Sequence, residues 1–292
     1  MAAANGGLVK LGIVCGLTAY FAGVKRIARH IEACGFESMW MIDHPIVPVK
    51  RASVYGGGGA MPPHYAHILD PFIGLAAAAG ATTTLRLGTS IALVPERDPL
   101  VMAKEISTID LVSNGRFEFG VGAGWIKEEG EILGVHWARR WAQTREYILA
   151  MKSCWTDEIS EFHGEFVDFP PLYSDPKPVQ TPHPPVLIAG EMERAAERIV
   201  EYGDGWMPRY DRIDLDAMVA TRAQLSERYA RAGRDFSTFT MSVFRCPPEV
   251  DAVADLAARG ADRALLILPP VAEAEAIDTV SNWAQSLLPA AR

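Results

Sequence analysis

Short apolar runs alternate with longer amphipathic stretches along the whole chain, and this alternation is the feature that most constrains the fold. There are eight such runs, from LVKLGIVCG near the start to DRALLILPP near the end, and a helical pattern follows each of them. Runs such as PVLIAG and ALLIL are apolar at successive positions, which is typical of parallel strands that are buried on both faces. Eight strand–helix units predict an α/β fold, a (β/α)8 TIM barrel.

A doubly wound parallel sheet is the alternative fold. Such a sheet usually has fewer strands and carries a GxGxxG phosphate loop after its first strand, where this sequence has no such motif. We therefore predict a single TIM-barrel domain over residues 1–292, with loop insertions at about 45–69 and 158–185. The first insertion is long for a barrel connection, and loops of that length often act as lids.

The sequence also predicts where individual helices begin and end. Asp70 and Pro71 are suited to the N-cap and the first position of a helix that continues through FIGLAAAAG. Asn114 and Gly115 are suited to ending the helix that precedes the fourth strand.

Composition excludes several classes of function. The formal net charge is −8 and the pI is about 5.4, and an acidic chain repels the phosphate backbone of nucleic acids. The apolar windows are far shorter than the ~20 residues that span a membrane, and the N-terminal residues lack the pattern of a signal peptide. The four cysteines are far apart, which fits reduced thiols. We therefore expect a cytoplasmic protein that acts on a small molecule, without nucleic acid or membrane as a partner.

The stretch RFEFGVGAGW, residues 116–125, contains three glycines that do not have the GxGxxG spacing. In a barrel, Gly120 and Gly122 fall inside the fourth strand and Gly124 falls at its C-terminal end. Glycine weakens a strand and is often found where a ligand or another backbone comes close. It also fills a tapering barrel interior, and both interpretations stay open at this point.

Three longer segments resemble the luciferase-like monooxygenase superfamily, which includes flavin-dependent bacterial luciferases and oxidoreductases that use the deazaflavin coenzyme F-420. The segments are ESMWMIDH (37–44), LGTSIALVPERDPLVMAKEISTIDLVSNGRFEFGVGAGW (87–125) and IAGEMERAAERIVEYGDGW (188–206). The shared elements include Arg97 with Pro99, and Arg116 at the end of TIDLVSNGR. The last third of the chain is similar only in its general pattern.

The resemblance implies that a flat redox ring lies over the C-terminal ends of the strands, where barrel active sites lie. Gly122, Ala123 and Gly124 would form the floor beneath it, and Ser90–Ile91 matches the position of a non-prolyl cis peptide bond. The cofactor-binding residues that the resemblance implies are Asp43, Thr89, Ser90, Ile91, Gly122, Ala123, Gly124, Ala189, Gly190, Glu191 and Met192.

Ala189-Gly190-Glu191-Met192 resembles the turn ahead of the fifth helix, whose N-terminus attracts the cofactor's phosphate. Glu191 departs from the family pattern, because it places a carboxylate where the anion is expected. It weakens phosphate binding unless Arg194 or another cation compensates. Alternatively, it complements the helix dipole.

Asp43-His44 resembles the pair of the F-420 branch in which the histidine lies near the reactive ring carbon, so both are predicted catalytic residues. The sugar-phosphate dehydrogenases of that branch carry a glutamate where this chain has Trp125. The acid of that mechanism is therefore absent, and the tryptophan favours an apolar or aromatic substrate. The predicted substrate pocket consists of Trp40, Trp125, Trp206 and Tyr210.

The resulting prediction is an enzyme, a homodimeric luciferase-like oxidoreductase that uses coenzyme F-420 for hydride transfer to or from an apolar or aromatic substrate. One alternative is an FMN-dependent monooxygenase, and another is a non-catalytic flavin-binding member of the family. No metal is expected, since His64-x-x-His67 with Asp70 is a weak metal pattern.

Overall fold

The computed structural model describes residues 8–21, 23–56 and 59–291, so the ends of the predicted domain and residues 57 and 58 of the 45–69 loop lie outside the described residues. The strands are β1 (Lys10–Cys15), β2 (Ser38–Met41), β3 (Arg86–Thr89), β4 (Ala92–Leu93), β5 (Phe117–Gly122), β6 (Ser160–His163), β7 (Asp168–Leu172), β8 (Val186–Ala189), β9 (Gly205–Met207), β10 (Thr240–Phe244) and β11 (Arg263–Leu268). The helices are α1 (Val24–Ala33), α2 (Pro71–Ala79), α3 (Pro99–Ser113), α4 (Lys127–Ile132), α5 (Arg140–Thr156), α6 (Met192–Tyr202), α7 (Met218–Arg231), α8 (Val250–Ala258) and α9 (Glu273–Leu287).

Eight parallel strands close into a barrel. The order runs from β1 through β2, β3, β5, β8, β9, β10 and β11, and β11 pairs again with β1. The β3–β5 pairing removes the free edge that an open doubly wound sheet would have. The predicted TIM barrel is confirmed, and the alternative fold is excluded.

The third barrel strand is divided in two, although its sequence, LRLGTSIALV, predicts one continuous strand. β3 ends at Thr89, and the short β4 begins at Ala92 and pairs with β5. The peptide bond between Ser90 and Ile91 is cis, as the resemblance predicted. These two residues are displaced from the ladder and lie at the C-terminal end of the barrel.

The predicted helix ends are confirmed. The Asp70 side chain accepts a hydrogen bond from the Ile73 N–H at 3.0 Å, and Pro71 is the first residue of α2. At the end of α3, Asn114 and Gly115 both have positive φ, 56° and 76°. Among the described residues, no helix is both long enough and apolar enough to cross a lipid bilayer.

The region 158–185 contains a feature that the sequence did not predict. β6 and β7 form a two-stranded antiparallel hairpin outside the barrel. The prolines at 170 and 171 favoured an irregular chain there, and they are tolerated because a two-stranded hairpin leaves edge positions without ladder partners.

Side chains pack in two layers, one between the barrel and its helices and one inside the barrel. Trp40 fills much of the interior, fully buried, and its Nε1–H donates to the Ser38 hydroxyl at 2.8 Å. Gly12 and Gly88 leave the space that its ring occupies, since a Cβ on either would overlap nearby side-chain atoms. The prediction that Trp40 lines the substrate pocket is therefore wrong, because the ring is enclosed below the pocket.

A buried ion network closes the N-terminal end of the barrel. The Arg263 guanidinium donates to the Glu37 carboxylate at 2.7 and 2.8 Å and to the Glu118 carboxylate at 2.8 and 2.9 Å. Arg86 also donates to Glu118, and Ser242 accepts from Arg263 at 2.9 Å. Burial opposes ionisation of Glu118, but Arg263 and Arg86 lower its pKa to about 2. The network links β3, β5, β10 and β11 at the base, opposite the site described next.

Candidate active site

A cavity of about 760 Å³ opens at the C-terminal ends of the barrel strands. The structure brings most of the predicted site residues together in its wall. Those that line it are Asp43, His44, Ser90, Ile91, Gly122, Ala123, Gly124, Trp125, Ala189, Gly190, Glu191, Met192 and Trp206. They come from or just after the ends of β2, β3, β5, β8 and β9, which converge because the strands are parallel.

Two further predicted site residues lie outside the cavity wall. Thr89 is fully buried, and its hydroxyl donates to the Gly120 carbonyl at 2.7 Å, so it joins β3 to β5 instead of facing a ligand. Tyr210 packs against the core between barrel and helices, and its N–H donates to the Phe244 carbonyl at 2.8 Å. The predictions that Thr89 contacts the cofactor and that Tyr210 lines the substrate pocket are therefore wrong.

Each glycine of RFEFGVGAGW lies where a side chain would meet a neighbouring group. A Cβ on Gly120 would overlap the backbone carbonyl of Thr89, so this glycine permits close strand packing. A Cβ on Gly122 would overlap the Cδ1 atom of Ile91 in the cavity wall. Gly124 has φ 81°, a left-handed conformation that favours glycine. The segment 122–124 therefore leaves a floor with few side-chain atoms.

His44 lies between an acid and an indole. Its Nδ1 is 2.7 Å from Glu129 Oε2, and its Nε2 accepts a hydrogen bond from Trp125 Nε1–H at 3.1 Å. An indole N–H is only a donor, so Nε2 carries no proton and Nδ1–H donates to Glu129. These hydrogen bonds assign the Nδ1–H tautomer to His44. Both side chains are buried, since that of His44 is 5% exposed and that of Glu129 is 0% exposed.

Aromatic side chains from the 45–69 loop cover this group. The Tyr65 ring lies edge-on to His44 at 5.4 Å between centroids, and the Tyr55 ring lies at 5.7 Å from Trp125. The loop is attached to α4, because the Ala52 N–H and the Ser53 hydroxyl donate to the Glu128 carboxylate. The contacts place part of the predicted lid against the pocket wall.

Asp43 forms an ion pair with Arg97. Arg97 Nη2 donates to Oδ1 at 2.7 Å, Arg97 Nε donates to Oδ2 at 3.2 Å, and the Leu93 N–H donates to Oδ2 at 3.0 Å. The same guanidinium reaches Asp70 at 2.9 Å. These bonds hold the end of β2 to the segment after β4.

The turn 189–192 contains the acid that the sequence identified as a departure from the family pattern. Glu191 is about half exposed, and an oxygen of its carboxylate lies 3.8 Å from Arg212 Nη1. Gly190 has φ 122°, and its carbonyl accepts from Trp206 Nε1–H at 2.8 Å. The cation that compensates Glu191 in this structure is thus Arg212.

Comparison with known proteins places the chain in a family. Residues 9–276 match the profile of the luciferase-like monooxygenase family. The chain belongs to the luciferase-like monooxygenases. It is 40% identical over 212 residues to the uncharacterized protein Rv0953c of Mycobacterium tuberculosis, a match that covers 71% of this chain and 74% of that protein.

Solved structures share the luciferase-like fold at low sequence identity. The crystal structure of monooxygenase RslO1 from Streptomyces bottropensis superposes with a TM-score of 0.77 at 21% identity, covering 96% of this chain and 99% of that one. The coenzyme F-420-dependent tetrahydromethanopterin reductase from Methanopyrus kandleri superposes with a TM-score of 0.73 at 15% identity, covering 98% and 100%. At these identities the two structures show a common fold.

A second buried acid lies under the floor of this luciferase-like site. Glu96 is 5% exposed, and neither of its carboxylate oxygens has a hydrogen-bond partner. A Cβ on Gly124 would overlap Glu96 Oε1, which places the carboxyl group close beneath that residue. Burial, followed by the charges of Glu129 and Asp43, raises the pKa of Glu96 to about 9. Glu96 is therefore a neutral acid at neutral pH.

Glu96→Gln should raise the stability of the protein at alkaline pH. The pKa of Glu96 is about 9 in the folded chain against 4.5 for the ordinary group, so between these values the folded state holds one more proton than the unfolded state. The free energy of unfolding of wild type therefore falls as the pH rises through that window. Glutamine does not titrate, so the variant lacks this decrease. We expect the difference in free energy of unfolding between the variant and wild type to grow by about 1–3 kcal/mol from about pH 6 to about pH 8. Urea unfolding at these two pH values measures it.

The matched control is Glu158→Gln, because Glu158 is exposed. Its effect should stay within about 0.5 kcal/mol at both pH values. A Glu96→Gln effect that is the same at both pH values would contradict a neutral Glu96.

The weak metal pattern of the sequence is not assembled. His64 packs on Tyr65, His67 packs on Tyr20, and Asp70 caps α2 and pairs with Arg97. Within the described ranges, no group of three or more His, Cys, Asp or Glu side chains is placed to hold a metal ion.

Two acids of the site, Glu96 and Glu129, were missed by the sequence reasoning. Glu129 follows the fourth barrel strand by only seven residues, and residues just after a barrel strand often belong to the active site. That position was the available signal. Glu128, its neighbour, binds Ala52 and Ser53 of the 45–69 loop and does not contact His44, and nothing in the sequence distinguishes the two acids.

Proposed function

We propose that this luciferase-like protein is an oxidoreductase that uses coenzyme F-420 to transfer a hydride to or from a small apolar or aromatic molecule. The observation that supports it most is the buried imidazole of His44 beside a glycine floor, with the Glu129 carboxylate 2.7 Å from its Nδ1. Similarity to the fold of an F-420-dependent reductase also supports the proposal.

The residues present fit a flat ring with an anionic tail. Gly122, Ala123 and Gly124 line the cavity with few side-chain atoms, and the side chain of Ile91, which lies against Gly122, would hold the ring from one side. The phosphate end fits the turn at Gly190, where a Cβ would meet no atom within 4 Å and where α6 begins. The cavity volume of about 760 Å³ is in the range of cofactor sites.

Coenzyme F-420, when bound, supplies a ring carbon that accepts or donates a hydride. The protein's part is to hold a proton acceptor or donor next to the reacting centre. His44 Nε2 is the nitrogen that would take the proton once Trp125 has moved away from it. Glu129 holds the ring orientation through Nδ1–H and would stabilise the imidazolium that forms when Nε2 is protonated. For oxidation of an alcohol, Nε2 takes the hydroxyl proton, and for the reverse reaction it returns that proton.

Trp125 now occupies Nε2, so it must move when a substrate group binds there. We propose that Trp125 and Tyr65 form the apolar wall that receives the substrate and excludes water, with Tyr55 of the loop packed against both rings. Trp206 also lines the cavity, where its indole N–H holds the Gly190 carbonyl. A substrate hydroxyl or carbonyl would replace the indole N–H at His44.

We propose a positioning role for Asp43 in place of the catalytic role that the sequence predicted. Its carboxylate is held by Arg97 and by the Leu93 N–H, so we assign it a positioning role. The ion pair fixes the end of β2, where His44 is the next residue.

An FMN-dependent monooxygenase is the second candidate function. It is favoured by the similarity to monooxygenase RslO1 and by the aromatic wall, which suits an apolar substrate that receives an oxygen atom. The predicted homodimer remains a prediction under either candidate.

Titration of the purified protein with coenzyme F-420 and with FMN tests the proposal. We expect F-420 to bind at least about tenfold more tightly than FMN, measured by fluorescence quenching. With a panel of secondary and aromatic alcohols, bound F-420 should lose its visible absorbance. FMN binding tighter than F-420, together with oxygen consumption, would replace this proposal with the monooxygenase.

His44→Gln separates binding from chemistry in the same assay. The variant should keep the F-420 affinity within about threefold and lose about 100-fold or more of the turnover, because the proton acceptor is removed. An unchanged rate would show that His44 does not move the proton.

A further inference from the structure

Three arginines that the proposed chemistry does not use lie on the helical side of the cavity. Arg140 is the first residue of α5, and Arg194 and Arg198 lie one turn apart on α6. All three line the same cavity as the glycine floor.

These three guanidinium groups have no acidic partner in the part of the chain that the structure describes, where none of the ion pairs within 4.0 Å includes them. The neighbouring cavity arginines differ, since Arg212 pairs with Glu191 at 3.8 Å and Arg209 pairs with an aspartate at 2.6 Å. Four carboxylates also line the cavity. Asp43 pairs with Arg97 and Glu191 pairs with Arg212, so Glu193 and Asp214 are the two cavity carboxylates left to oppose the three cations among the described residues.

Aromatic faces hold two of the three groups in place. The Arg140 guanidinium lies 4.2 Å from the ring centre of Trp137, and the Arg198 guanidinium lies 3.7 Å from that of Trp141. An indole face orients a guanidinium without neutralising its charge. The Arg140 Nε–H is buried and has no hydrogen-bond partner.

The three charges are close enough to affect each other. Burial, followed by the charge of Arg194, lowers the pKa of Arg140. Burial has the largest effect on Arg198 as well and lowers its pKa; Tyr202 and Glu197 oppose the shift, and the charges of Arg140 and Arg194 add to it. Like charges that share a cavity wall repel, and a bound polyanion removes this repulsion. Guanidinium groups bind carboxylates and phosphates with two parallel hydrogen bonds.

We propose that Arg140, Arg194 and Arg198 form a binding site for a chain of carboxylates, and that the occupant is the oligoglutamate tail of coenzyme F-420. This inference rests on the proposed function. A single phosphate, as in FMN, is expected at the turn before α6, so three further cations exceed what FMN requires. Several carboxylates beyond the phosphate would match them.

The carboxylates could also belong to the substrate, so the test compares two forms of the cofactor. Wild type and Arg194→Gln/Arg198→Gln are titrated with F-420 that carries its tail and with the tail-free form that keeps the phosphate but has no glutamates. Arg228→Gln/Arg231→Gln is the control, because it removes the same two charges from exposed positions on α7 outside the cavity.

The double variant should bind tail-bearing F-420 about 100-fold more weakly, because two charged hydrogen-bonding partners are lost. Its affinity for the tail-free form should change less than about twofold, and the control should bind both forms as wild type does. The affinity of the double variant for tail-bearing F-420 should also depend less steeply on salt.

Two results would overturn the inference while leaving the proposed function intact. One is unchanged affinity of the double variant for tail-bearing F-420, and the other is an equal loss for both forms. If wild type binds neither form, the proposed function itself fails. A γ-linked triglutamate peptide then tests the arginines alone, since it should raise the Tm of wild type but not that of the double variant, and no shift in wild type would overturn the site.

Discussion

Arg263→Met should lower the free energy of unfolding by about 3–5 kcal/mol, which is the largest stability effect that we expect from one substitution. The substitution keeps an unbranched side chain of similar length but leaves the carboxylates of Glu118 and Glu37 without their shared cation at the barrel base. Glu118 is 3% exposed, so water cannot replace that cation. Arg86 remains beside Glu118 and limits the loss.

Arg259→Met is the matched control, because Arg259 also forms two ion pairs, with Asp255 and Asp216, but at the surface of α8. It should cost less than about 1 kcal/mol. The loss of stability in Arg263→Lys should lie between those of the other two variants, because lysine keeps the positive charge but lacks the planar guanidinium group that binds both carboxylates. Urea unfolding at neutral pH measures all three, and an Arg263→Met cost equal to that of the control would show that the base network contributes little.

The barrel could be predicted from the sequence because each strand and helix leaves a local pattern. Strand periodicity, the Asp70 cap and the Asn114–Gly115 ending were all readable over a few residues. The break at Ser90–Ile91 followed only from the resemblance, because no propensity marks a cis bond between two such residues. Trp40 was misplaced because strand-end aromatic residues can face the pocket or the barrel interior, and only the small residues on adjacent strands decide which.

The site was less predictable, because its chemistry depends on partners from distant positions. His44 was identified as a strand-end residue, but Glu129 lies 85 positions later and Trp125 lies 81 later. Arg97 was recognised as part of a shared segment, yet its partner Asp43 precedes it by 54 positions. A local pattern carries no record of such contacts, so pairings remained undetermined even where the individual residues were found.

Gly122→Val should weaken cofactor binding by about 100-fold, because it displaces the Ile91 side chain into the space where the ring is proposed to lie. A Cβ at this position already overlaps the Ile91 side chain, so valine must push Ile91 into the cavity. Overpacking of this kind costs up to about 3 kcal/mol, which corresponds to about 100-fold in affinity when the cost falls on the bound state. Titration with F-420 or FMN measures the loss without any knowledge of the substrate, and the Tm shows that the variant is folded.

Two further variants decide whether the loss arises from the floor. Gly80→Ala is the control, since its Cβ would lie 3.9 Å or more from any atom, and it should bind the cofactor as wild type does. Gly122→Val/Ile91→Ala should regain about tenfold of the lost affinity, because shortening Ile91 returns space to the cavity. If Gly122→Val alone binds the cofactor normally, no ring lies over residues 122–124, and the hydride chemistry assigned to His44 loses its location.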